Sequence, residues 1–124
     1  MYNETVMDHF QNPRHTGEIT DPDGVGEVGN PACGDMMRLY IKVADNKIAD
    51  IKTRTFGCAA AIACASIASE MVFGLSLDDA AQLTRQQVAD KLNGLPEEKI
   101  ACSNLAPDAI RAAIENYRSK QNAG

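Results

Sequence analysis

Residues 36–74 read MMRLYIKVADNKIADIKTRTFGCAAAIACASIASEMVFG and change character twice. From Met36 to Ala44, apolar Met37, Leu39, Ile41 and Val43 alternate with Arg38, Tyr40 and Lys42, the period of a half-buried strand. The tetrapeptide DNKI offers a turn. KIADIKTRTF then resumes the alternation through Ile48, Ile51, Thr53 and Thr55, so the two segments are expected to pair as an antiparallel hairpin. A slip of phase near Ala49 and Asp50 predicts a bulge. After Phe56, Gly57 and Cys58 the chain turns to alanine and other small residues up to Gly74. That composition predicts a helix that lets another backbone come close, with Gly74 at its C-terminal cap.

The flanks add helices. Val6, Met7 and Phe10 follow Asn3, a residue suited to an N-cap, at helical spacing. Residues 14 to 28, broken by glycine, proline and acids, read as an irregular loop whose last part becomes an edge strand. Ser76 with Asp79 three residues on, and Thr84 before Val88 and Leu92, mark the starts of two short helices. Ile110, Ala113, Ile114 and Tyr117 form the apolar stripe of a final helix. The polar end SKQNAG, residues 119–124, is expected to fray.

A chain of 124 residues suits one domain with one modest core, here expected to span 1–124. Twelve Lys and Arg stand against 17 Asp and Glu, with no basic run, which argues against nucleic acid and anionic membrane as partners. The N-terminal MYNETVMDHFQ has neither the basic start nor the apolar run of a signal peptide, and no apolar stretch reaches membrane-spanning length. The expected location is the cytoplasm.

In a reducing compartment, Cys33, Cys58, Cys64 and Cys102 point to metal binding or thiol chemistry rather than disulfides. Three of them fall at element junctions: Cys33 in the turn GNPACGDMM, Cys58 between strand and helix, and Cys102 before the last helix. Backbone amides and helix dipoles at such places favour thiolate. Cys64 lies six residues after Cys58, about 600° around a helix, and so is expected on another face as a packing residue. Closely spaced zinc-finger pairs and a C-x-x-C redox motif are both absent. Three separated thiolates with Asp35 beside them make a donor set short of the four thiolates that retain an iron–sulphur cluster, a deficiency suited to transfer.

GNPACGDMM, TRTFGCAAAIACAS and LPEEKIACSNLAPDAIRAAI, preceded by YNETVMDHFQNPRHTG, together resemble the iron–sulphur cluster assembly scaffolds of the IscU and NifU N-terminal domain family, over residues 2 to about 120. The resemblance implies a small α+β fold, with a three-stranded, mostly antiparallel sheet packed by helices and the cysteine loops gathered at one end. It implies Cys33, Cys58 and Cys102 as ligands, with Asp35 as the aspartate that affects cluster lability and can ligate metal. Gly34 and Gly57 stand beside two of these cysteines, and Tyr2 matches an N-terminal aromatic position. The resemblance also implies that the chain is not an enzyme turning over a small substrate. Instead it would receive sulphur as persulfide from a cysteine desulfurase, at a mobile loop carrying Cys102. It would take up iron and electrons from an iron donor or ferredoxin, build a cluster, most naturally 2Fe-2S, and pass it to apo-proteins. Zinc in the cluster-free form and a homodimer sharing clusters are further implications.

Two departures modify this expectation. The family's usual His before the third cysteine is Ala101 here, which removes one nitrogen ligand and puts more weight on Asp35, on a partner's thiol or on a second protomer. LPEEK at 95–99 replaces LPPVK, the segment bound by a dedicated Hsp70-type chaperone, so weak or absent recognition is expected; Lys99 is retained. The alternative function is a zinc-binding or sulphur-accepting accessory domain that modulates a desulfurase. A cysteine-nucleophile enzyme ranks below both, because no sequence feature ties His9 or His15 to a thiol.

Overall fold

A computed structural model of the chain describes residues 2–30 and 34–123. The order is α1 (Glu4–Gln11), β1 (Gly24–Asn30), β2 (Asp35–Ala44), β3 (Lys47–Phe56), α2 (Ala59–Val72), α3 (Leu77–Ala81), α4 (Arg85–Lys91), a 3-10 helix (Glu97–Asn104) and α5 (Leu105–Ala123). The three strands form one antiparallel sheet in the order β1-β2-β3, the α+β architecture expected.

The hairpin closes on Asp45 and Asn46, both with positive φ (53° and 61°), the conformation that matches the twist of paired strands in a two-residue turn. Lys42 pairs with Asp50 and Val43 with Ile48, so Ala49 is the extra residue of the expected bulge. Beyond it the register runs to Met36 opposite Phe56, which sets the start of β2 beside the end of β3.

Met37, Leu39, Ile41, Ile48 and Ile51 face inward and are fully buried against α2 and α5. Helix α2 buries Ala60, Ala61, Ala63, Cys64, Ala65, Ser66, Ala68, Ser69 and Val72, more than one face, as suits a central helix touched by α1, α4, α5 and the sheet. Outward positions at the strand ends carry exposed Met36 and Phe56. Tyr40, read from the alternation as outward, is nonetheless 8% exposed; the Arg38 guanidinium lies 5.4 Å from its ring centre.

Two glycines of β1, Gly24 and Gly26, answer to α5. A Cβ on Gly26 would fall 2.2 Å from the Ala109 carbonyl oxygen and 2.6 Å from the Ala113 nitrogen, and one on Gly24 would fall 2.3 Å from the Ala113 carbonyl oxygen. Strand and helix are therefore in backbone contact, and the Asn116 Oδ1 accepts the Val25 N–H at 3.0 Å. Helix α5 continues to Ala123, through most of the stretch expected to fray, and its residues 118–121 are exposed. No helix among the described residues is long and apolar enough to cross a membrane.

Caps fall where the sequence places them: the side chains of Asn3, Ser76 and Thr84 accept from Val6, Asp79 and Gln87, the last in a capping box. Asn3 also donates through Nδ2 to the carbonyls of Leu92, Asn93 and Gly94, tying α1 to the end of α4. Tyr2 is partly buried against the core. His9 is buried, with Nδ1 2.7 Å from the Ser66 Oγ, which also accepts the Arg14 N–H at 2.9 Å.

Two outcomes are expected. Gly26→Ala should lower stability by about 2 kcal/mol in denaturant titration, because neither backbone has slack. Burial lowers the pKa of His9 below its ordinary 6.5, with Arg14 acting in the same sense and Glu70 and Asp8 opposing. The folded chain thus binds fewer protons at His9 than the unfolded chain. Its contribution to stability is present above 6.5 and is lost as the pH falls below that value, so melting temperature should drop from about pH 7 to about pH 5, with a shallower slope in His9→Gln.

Candidate metal centre

The hairpin register brings Asp35, the first residue of β2, next to the chain that leaves β3 through Gly57 and Cys58. Cys58 is the N-cap residue of α2 in extended conformation, but its side chain makes no capping bond. Its N–H instead donates to the Asp35 Oδ1 at 3.1 Å. The third residue arrives from the 3-10 helix before α5, where the Cys102 carbonyl accepts the Leu105 N–H.

Both thiols converge on one oxygen. Cys58 Sγ and Cys102 Sγ each lie 3.4 Å from the Asp35 Oδ2, and 3.7 Å from each other. The three ligand atoms all lie within 4.8 Å of one another, the one such metal-suited group among the described residues. Asp35 and Cys102 are buried, whereas Cys58 is partly exposed. Two soft sulphurs and a hard oxygen around one point, all able to shed protons, suit a thiophilic metal better than calcium or magnesium. Exposed Met36 and Phe56 flank Asp35 and Cys58 along the chain, and exposed Ile100 precedes Cys102 by two residues.

Of the four expected ligands, Asp35, Cys58 and Cys102 come together; Cys33 lies outside the described residues, as does the side chain of Ala101. Gly34, next to Cys33, has a positive φ of 71°, in keeping with a turn. Cys102 differs from expectation: its thiol is fully buried in a 3-10 helix, not displayed on an open loop. The cause is tertiary, since this segment packs on α2, α4 and α5. Cys64 is fully buried in the core as expected, and burial pushes its thiol up to about 12, with Cys58 adding in the same sense. Neither histidine joins the group: His9 is bound to Ser66, and His15 stacks on Phe73 with ring centres 5.2 Å apart.

The family model described as the NifU-like N-terminal domain matches residues 1–124. The chain belongs to that family. It is 59% identical over 120 residues, 97% of this chain and 78% of the relative, to a protein of Archaeoglobus fulgidus named iron-sulfur cluster assembly scaffold protein IscU 1. A Drosophila melanogaster relative, 49% identical over 125 residues (98% of this chain and 80% of the relative), is named iron-sulfur cluster assembly enzyme IscU. The crystal structure of the N-terminal part of a nitrogen-fixing NifU-like protein from Brucella abortus shares the fold, with a TM-score of 0.77 at 23% identity, covering 95% of this chain and 94% of that one.

Burial orders the reactivity of the described thiols. With iodoacetamide, Cys58 should label first in the folded protein. Cys64 and Cys102 should label on the order of a hundredfold more slowly than in denaturant, as read by peptide mass spectrometry.

Proposed function

We propose that this chain is a scaffold on which iron–sulphur clusters, of the 2Fe-2S type, are built and from which they pass to apo-proteins. The observation that carries the reading is the convergence of two thiols and one buried carboxylate oxygen, all within 4.8 Å, in a chain of the NifU-like N-terminal family. The cluster is cargo rather than a resident cofactor. Cys58, Cys102 and Asp35 would hold it, and Cys33, two residues before Asp35, enters as a ligand on the sequence alone.

The chemistry follows from the donors. Thiolates would hold the irons of a cluster, while a carboxylate oxygen is the harder and weaker ligand, and so the place where an acceptor's thiolate can enter. The thiol protons that now lie toward Asp35 must leave when iron binds, and the partly exposed Cys58 gives them the shorter way to water. Sulphur would come as persulfide from a cysteine desulfurase: thiolate attack on the outer sulphur breaks its S–S bond, and the desulfurase's cysteine leaves as thiolate. Cys58 is the open acceptor of the two described thiols, and delivery to Cys102 requires the 3-10 segment to move. Iron and electrons would come from an iron donor or a ferredoxin. The acidic LPEEK segment makes the Hsp70-type chaperone a poor partner.

Anaerobic reconstitution with ferrous iron, cysteine and a cysteine desulfurase tests this, read by visible absorption and by transfer to an apo-ferredoxin. Cluster formation should be lost in Cys33→Ala, Cys58→Ala and Cys102→Ala and kept in Cys64→Ala. Asp35→Ala should slow cluster loss by about tenfold. A colourless chain that binds one zinc and alters desulfurase rate would instead establish the regulatory accessory domain.

A further inference from the structure

Gly57 links the last residue of β3 to Cys58 with φ of +157°. A Cβ built on it would stand 2.1 Å from the Asp35 Oδ1, 2.5 Å from its Cγ and 2.9 Å from its Cβ. Gly34, the glycine on the other side of Asp35, also has positive φ, yet a Cβ there would meet nothing within 4 Å. The two glycines are thus bare for different reasons. At position 34 the backbone angle suffices, whereas at position 57 the volume of a side chain is already filled by a carboxylate.

That carboxylate is confined on its other sides. Oδ1 accepts from the Cys58 N–H, Oδ2 meets both thiols, and the residue is 3% exposed. Any side chain at position 57 would therefore push Asp35 away from the two sulphurs. The contact reaches the Asp35 Cβ, which the β2 backbone fixes, so rotating the carboxyl group alone does not relieve it.

We propose that Gly57 is a positioning residue: its missing side chain seats the Asp35 carboxylate between Cys58 and Cys102 and thereby sets how long a cluster stays bound. The inference rests on the scaffold reading for its consequence, and on the packing alone for its mechanism. A hard oxygen held among thiolates is the labile ligand. Displacing it through Gly57 should resemble deleting it, although Gly57 touches neither metal nor sulphide.

The test compares Gly57→Ala, Asp35→Ala and the double variant. In the metal-free protein the Cys58 amide, followed by proton–nitrogen NMR, should shift and exchange faster in both single variants, because its acceptor has gone. Gly57→Ala should melt at a lower temperature than the parent, and the double variant should recover part of that loss, since removing the carboxylate makes room for the new methyl. After reconstitution, Gly57→Ala should lose its cluster about tenfold more slowly than the parent, with no further slowing in the double variant. The proposal is overturned by a Cys58 amide unmoved in Gly57→Ala, by a double variant no more stable than the single losses sum to, or by a parental cluster lifetime in Gly57→Ala. Should Gly57→Ala alone not fold, recovery of folding in the double variant supports the proposal and failure of both overturns it. If the parent takes up no cluster, the scaffold reading fails, while the amide and melting measurements still decide whether Gly57 seats Asp35.

Discussion

The register of β2 against β3 is the constraint on which the remainder of the molecule depends. A two-residue turn at Asp45 and Asn46, one bulge at Ala49 and a ladder running to Met36 opposite Phe56 fix the course of the chain at the far end of the hairpin. Asp35 must then stand beside Gly57 and Cys58, and α2 must start there. A shift of one residue would turn Met37, Leu39 and Ile41 outward and Arg38 inward, so the core enforces the register that the site uses. Stability and chemistry are secured by the same pairing along one hairpin.

Small residues let the layers close around that hairpin. Helix α2 is mostly alanine and serine on its buried surface, and Gly24 and Gly26 bring β1 into contact with the backbone of α5. Close approach on both sides packs a short chain densely without large side chains. It also carries α5, and the 3-10 segment that leads into it, to the end of the sheet where Cys102 meets Asp35.

What the sequence reveals of this depends on how local each cause is. The hairpin, its bulge, the caps at Asn3, Ser76 and Thr84 and the alanine-rich helix arise from neighbouring residues and are legible. Gly24 and Gly26 of β1 read as loop formers, because their reason for being glycine lies in Ala109 and Ala113, more than eighty positions away. Tyr40 is buried with the Arg38 guanidinium near its ring, and Cys102 is buried by packing of the 3-10 segment, and neither leaves a mark in the alternation. Asp35 could be suspected from its place two residues after Cys33, yet its actual neighbours, Cys58 and Cys102, lie 23 and 67 positions on. Residues 119–123 lack an apolar pattern and still continue α5, carried by a helix already anchored at Ile110, Ala113 and Ile114.

Asn3 has a consequence for the order in which the chain can fold. Its Oδ1 starts α1 while its Nδ2 closes the end of α4, across a sequence separation of 89 to 91 residues. The half of this contact that needs α4 cannot form until most of the chain has left the ribosome. The first helix can pack on α2 as soon as that helix is made, and its tie to α4 is added only when the last third of the sequence arrives. The first helix is thus fastened in two stages, first to the middle of the chain and then to its last third.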